Sequence, residues 1–248
     1  MKTTQTRRWL LLAAAAVIFM VLVANQSWWQ VAFHYLFPQE SEVLYPSASL
    51  LSLVWEHIQL VAISSIITVA VGVPLGIWVT RPGGRDFLPI VTDVTSFGQT
   101  FPPVAVLALA VPMLGFGAMP TVVALFLYGL LPVVRNTVAG IRSVPVQLVD
   151  AAHGLGMSRW QTLLKVEVPL SLPVMLAGIR ISVIINIGTA MIGAVIGAGG
   201  LGSPIVAGLV RDNLAFILEG AVPAAMLAIL VDRLLVNIEE GLVVSQIG

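Results

Sequence analysis

The chain has 248 residues, with twelve Lys plus Arg against twelve Asp plus Glu, so its formal net charge is zero. Charged residues make up 10% and hydrophobic residues 58%, with a mean hydropathy of +1.00, whereas a soluble domain carries about a quarter of its residues as charges. These numbers exclude a water-soluble globule, a basic nucleic-acid-binding stripe and, with no cysteine, any disulfide or thiolate metal site.

At roughly 20 apolar residues per bilayer crossing, the apolar content supplies about six transmembrane helices joined by short loops, an all-α polytopic fold. The first apolar run, Trp9 to Ala24, follows Lys2, Arg7 and Arg8 and reads as a membrane anchor or as a cleavable signal peptide. The anchor is favoured, because the run passes into Trp28, Trp29, Val31, Phe33 and Tyr35 without a small-x-small cleavage site. Paired tryptophans also suit an interfacial aromatic belt. Further spans are expected at residues 56–79, 87–114, 119–140, 170–196 and 214–236. The chain thus divides into an N-terminal helix and external loop (1–49), a core (50–240) and a short tail (241–248).

Lys and Arg in short loops stay on the cytoplasmic side. With six spans and the N-terminus inside, Lys2, Arg7, Arg8, Arg81, Arg85, Arg135, Arg142, Arg159, Lys165, Arg180 and Arg233 fall on the cytoplasmic side and only Arg211 falls outside. Both termini are therefore expected in the cytoplasm.

The one long polar break, 143–169, is patterned as two short helices. Ser143 is placed to cap the first, with Pro145 in its opening turn, and Gly154 or Gly156 to end it. Ser158 and Gln161 form an S-x-x-Q capping box that starts the second, and Pro169 marks the beginning of the next span. By pattern alone this is either a solvated hairpin between spans or a docking element.

The run Asp150-Ala151-Ala152, Gly156, then Val166-x-Val168-Pro169 resembles the E-A-A-x3-G-x9-I-x-L-P loop of membrane subunits of ABC importers, with Asp for Glu and Val for both Ile and Leu. In that family the loop forms a coupling helix that docks on a cytoplasmic ATPase subunit. The resemblance therefore implies a type I-like permease of a bacterial cytoplasmic (inner) membrane with Asp150, Ala151, Ala152, Gly156 and Pro169 in its coupling loop, the first four of them as the residues that contact the ATPase subunit. Residues 98–117, 127–141 and 177–205 are similar to permeases of the glycine betaine, carnitine and choline class. That likeness implies an importer of compatible solutes with a second permease subunit, same or homologous, two ATP-binding subunits and an extracytoplasmic solute-binding protein. Permeases for other small solutes such as amino acids share the loop and remain an alternative.

No G-x-x-x-x-G-K-[ST] loop is present, so no cofactor is expected on this chain and ATP falls to the partner subunit. No catalytic constellation is legible, and His34, His57 and His153 are too scattered to imply a metal site. Glu56-His57 lacks the second histidine of H-E-x-x-H and is expected at the head of a span near the external interface. Intramembrane ionisable groups are functional candidates by default. Asp93 and Arg180 are such groups, and Asn186 and Thr189 lie deeper in the span of Arg180. Each lines a pathway or serves packing, and for Arg180 the structural alternatives are snorkelling and pairing. Trp78 and Phe101 suit either cation–π contact with a quaternary ammonium or the core. Gly72-x-x-x-Gly76 and Gly193-x-x-x-Gly197 suggest close helix packing. Pro74, Pro102, Pro103, Pro112 and Pro132 are placed to kink or break spans. A secondary transporter or channel is the rival class, although no internal repeat of the kind such folds show is evident.

Overall fold

The computed structural model describes the backbone of residues 2–247 and the side chains of residues 5–242. The Lys2 side chain used in the charge reading, and the side chains of all but the first two residues of the 241–248 tail, lie outside the described residues. Among the described residues every regular element is helical: α1 (Lys2–Ala24), α2 (Gln26–Leu36), α3 (Leu50–Trp78), α4 (Leu88–Thr100), α5 (Pro103–Leu114), α6 (Ala118–Ser143), α7 (Val146–Gly154), α8 (Arg159–Thr162), α9 (Val168–Ala190), α10 (Gly202–Arg211) and α11 (Leu214–Ile247). Short 3-10 turns occupy Arg85–Phe87 and Met191–Ile196, and a π turn occupies Leu163–Glu167.

Among the described residues, five helical stretches are long and apolar enough to cross a membrane: Gln5–Ala24, Leu50–Trp78, Ala118–Ser143, Arg159–Ile196 and Leu214–Leu242. The single span expected at 87–114 is not one helix. It is a pair, Arg85–Thr100 and Pro103–Leu114, bent by 97°. The cause is local. Phe101 precedes a proline and is driven to extended geometry (φ −77°, ψ 138°), and Pro102 is extended in turn (φ −58°, ψ 137°). Helix resumes at Pro103, where a missing N–H is harmless, and the Pro102 carbonyl accepts from Ala105 and Val106.

The chain forms two compact units. The first contains residues up to Ser64 together with Pro102–Leu125 and Ile184–Asn237. Its main apolar cluster joins Phe19 and Val23 of α1, Leu50, Leu53 and Val54 of α3, and Ala224 and Leu227 of α11 around Leu201. A second cluster sets Phe33 of α2 against Val43 and Ala215. The Trp29 indole N–H donates to the Leu22 carbonyl at 2.8 Å, tying the start of α2 to the open end of α1.

The second unit contains Ser65–Phe101, Phe126–Val183 and the chain from Ile238. Val79, Leu130, Val134 and Val138 form its apolar centre. Gly72 and Gly76 bring α3 onto α6: an added Cβ would lie 2.8 Å from Val133 Cγ1 at Gly72, and 2.7 Å from Thr137 Cβ at Gly76. Gly140 does the same for α6 against α9, 2.9 Å from the Ser171 carbonyl. The other glycine pair divides. Gly193 packs against Thr121, whereas Gly197 has open space around it and a φ of +77°, making it a turn residue rather than a packing residue.

Candidate functional site

The segment between α6 and α9 is closed by its own backbone. Ser143 does not cap α7: it is the last residue of α6 and its hydroxyl donates to the Gly140 carbonyl at 2.7 Å. Pro145 takes the N-cap position instead, in extended geometry, and its carbonyl accepts from Leu148. A proline next in line prevents Val144 from continuing the helix, which explains the shift. At the other end α7 finishes in a Schellman motif, with Gly156 N–H bonded to His153 O at 2.9 Å and Met157 N–H to Ala152 O at 3.1 Å. Gly156 supplies the required left-handed residue, at φ +79°. Of the two glycines expected to end the helix, Gly156 does so and Gly154 is its last helical residue. The Ser158–Gln161 capping box is formed on both sides, at 3.3 Å and 2.8 Å.

Pro169 stands in the first turn of α9, but no break precedes it: the helical run continues from Arg159 to Ile196, with the π turn ending two residues before the proline. In that turn Val168 N–H bonds to the Leu163 carbonyl, five residues back. The widened turn makes room where the proline ring would otherwise strike a carbonyl four residues earlier.

Asp150, Ala151 and Gly156 are exposed. Ala152 departs from the expectation of a surface contact: it is 4% exposed and faces its own chain. Large apolar side chains of the same segment are exposed too, Leu155 84% and Trp160 72%. Thr162 and Leu163 are buried, and Glu167, also buried, receives both guanidinium nitrogens of Arg81 from the turn after α3.

The candidate pathway residues make separate contacts. Asp93 is on the exposed side of α4, whereas Thr95 is buried and Gln99 donates to the Tyr128 carbonyl at 2.8 Å. Arg180 pairs with Glu239 at 3.7 Å. Asn186 is fully buried, with its amide nitrogen 3.4 Å from Ser64 Oγ, a bond between α9 and α3 rather than a surface position. Trp78 lies against Phe87 and Phe101 against Phe97, with centroids 5.3 and 4.7 Å apart.

Several polar anchors have little or no trace in sequence patterning. His57 is fully buried within the chain, with Nε2 3.0 Å from the Ile187 carbonyl. That carbonyl can only accept, so Nε2 is the donor. Glu56 accepts from the Gly200 N–H at 2.9 Å. Glu219, fully buried, accepts from the Tyr45 N–H at 2.6 Å. Glu42 pairs with Arg211 at 3.3 Å, and its carbonyl accepts from Asn213. Glu219 was detectable as an ionisable group inside an apolar run; its partner Tyr45 was not.

Residues 72–243 match the family described as binding-protein-dependent transport system inner membrane component. The chain belongs to this family. Among its relatives, the osmoprotectant import permease protein OsmY of Salmonella typhimurium strain LT2 is 45% identical over 186 residues, which is 75% of this chain and 79% of that protein. The carnitine transport permease protein OpuCB of Listeria monocytogenes is 42% identical over 78% of this chain and 88% of its own. The choline transport system permease protein OpuBB of Bacillus subtilis strain 168 is 43% identical over 76% and 86%. An inward-facing structure of the MetNI methionine ABC transporter shares the fold, with a TM-score of 0.70, 23% identity, and coverage of 78% of this chain and 95% of that one. The all-α polytopic permease fold expected from the sequence is therefore the fold of an inner-membrane transport component. The family match takes in α4 to α10 entire and all of the α7–α8 segment.

Proposed function

We propose that this chain is the permease subunit of an ATP-driven importer of compatible solutes such as glycine betaine, carnitine or choline. It pairs with a second permease subunit, identical or homologous, to form the pathway. Asp150, Ala151 and Gly156 meet a cytoplasmic ATPase subunit, which binds the ATP, while Ala152 and Pro169 shape the segment from within. A separate extracytoplasmic binding protein delivers the solute. The names of the relatives support the solute class, since three of them at 42–45% identity are osmoprotectant, carnitine and choline permeases.

The observation that carries the coupling assignment is the α7–α8 hairpin. Its backbone groups are satisfied by a Schellman motif and a capping box, so it holds its shape without a partner. Yet Val146, Leu155 and Trp160 stay exposed, at 62%, 84% and 72%. On a polar segment placed outside the bilayer, apolar side chains this exposed suit a docking surface. The distribution of cations supports the orientation, with this hairpin and both termini in the cytoplasm.

The test is gentle purification from the native membrane with identification of what accompanies the chain. An ATPase subunit in roughly equal amount, lost on Asp150→Ala or Gly156→Val, is the expected result. Its absence under conditions that preserve other membrane complexes would favour a gradient-driven transporter or channel.

A further inference from the structure

The contact between Arg81 and Glu167 lies outside every residue assigned so far, and its geometry is specific. Arg81 Nη1 donates to Glu167 Oε1 at 3.0 Å, and Nη2 pairs with Oε2. This two-point fork fixes orientation as well as distance. Glu167 is 7% exposed, and a carboxylate in so dry a position needs its partner. Such a pair adds little net stability over an apolar one of similar volume; holding two elements in a fixed register accounts for it better.

The elements joined are two corners. Glu167 ends the π turn that follows α8, and α7 packs on both α8 and that turn. Arg81 is locked into the turn after α3: its N–H donates to the Trp78 carbonyl at 3.0 Å, and its own carbonyl accepts from Gly84 and Arg85, each at 2.9 Å. Arg85 begins the 3-10 turn that runs directly into α4, the first arm of the broken span. A displacement of α7 therefore reaches Glu167 through a short, capped, hydrogen-bonded path. Beyond Glu167, the guanidinium fork is a direct side-chain connection to the α3–α4 turn.

We propose that the Arg81–Glu167 pair is a positioning link that carries movement of the α7–α8 hairpin to the α3–α4 turn, and so couples ATP hydrolysis to rearrangement of the broken span. This rests on the hairpin being the ATPase docking element. Without the link the ATPase still binds and turns over, but its motion no longer moves α4.

The experiment reconstitutes the complete transporter, permease with ATPase and binding protein, into lipid vesicles and measures solute uptake and ATP hydrolysis together. For Glu167→Gln and Arg81→Gln, the ATPase should remain bound and hydrolysis stay within about twofold, while uptake falls about tenfold or more, the range of a lost coupling between two sites. Arg81→Lys keeps the charge but loses the fork, and should give an intermediate ratio of uptake to hydrolysis. If the neutral variants do not assemble, Arg81→Lys alone carries the same readout. Unchanged uptake in these variants, or uptake and hydrolysis falling in parallel, overturns the link and leaves a purely structural ion pair. Gly156→Val, measured alongside, separates the two readings. If that variant keeps both ATPase and uptake, the docking assignment fails; if it loses the ATPase while the Arg81 and Glu167 variants transport normally, the link alone fails.

Discussion

At the scale of single residues, Gly156 has the narrowest requirement in the α7–α8 segment. Its φ of +79° is needed to return the Met157 N–H to the Ala152 carbonyl, and a β-branched side chain there is strained by about 1–3 kcal/mol. Gly156→Val should release ATPase binding and abolish uptake while circular dichroism of the purified chain keeps its helical signal. Gly156→Asn should retain part of both, because asparagine tolerates the left-handed region. Glu219 is a second test at this scale. It is fully buried and holds the Tyr45 N–H, so Glu219→Leu should lower stability by about 1–3 kcal/mol in thermal unfolding of the detergent-solubilised protein. Glu219→Gln, which keeps an acceptor, should lose less. Gly156 was legible as a helix-ending glycine two residues after an equally plausible one. What selected it over Gly154 was which glycine's position let both backbone bonds close at once.

Among the elements, the broken span is the clearest departure from pattern. Residues 87–114 are apolar throughout, and hydropathy alone makes them one helix. Two consecutive prolines remove two donors and push Phe101 out of helical geometry, so its carbonyl loses the partner a continuous helix would supply. The hydroxyl of Tyr128 donates to that carbonyl, and Gln99 donates to the Tyr128 carbonyl in return. Tyr128→Phe leaves the packing in place and the Phe101 carbonyl without its donor. The expected loss is about 1–3 kcal/mol in the thermal midpoint measurement, with Gln99→Leu giving a loss of similar direction. The α8–α9 junction shows the same principle in milder form. A proline expected to begin a helix is instead accommodated inside one by a single π turn.

For the molecule as a whole, the charge asymmetry makes an orientation testable without background. The chain contains no cysteine, so any cysteine introduced is the only reactive thiol. Ser41→Cys, before the first residue of α3, should react with a membrane-impermeant maleimide added to intact cells. Gln147→Cys, on the exposed side of α7, should react only after the membrane is opened. Labelling of Gln147→Cys in intact cells would reverse the proposed topology and with it the docking of a cytoplasmic ATPase on the hairpin. The pairing of Glu42 with Arg211 adds a consistency condition, since the first loop and the α10–α11 turn must share a membrane face.

The all-α polytopic class, the approximate places of the spans, the capping box and the family loop were all determined by the sequence itself. Each depends on neighbours within a few residues or on composition, and a bilayer imposes strong demands on both. The break at Pro102 is local as well, and Pro102 and Pro103 were placed for it, but the accommodation of Pro169 depended on whether nearby backbone could be satisfied, which only the folded chain decided. So did the contacts between distant residues: Arg81 with Glu167, Glu56 with Gly200, His57 with Ile187, Arg180 with Glu239, and Glu219 with Tyr45. Their partners lie from 59 to 174 residues apart in the chain, so no local pattern encodes them. A buried polar group must find a partner, but which partner it finds is set by how the helices pack.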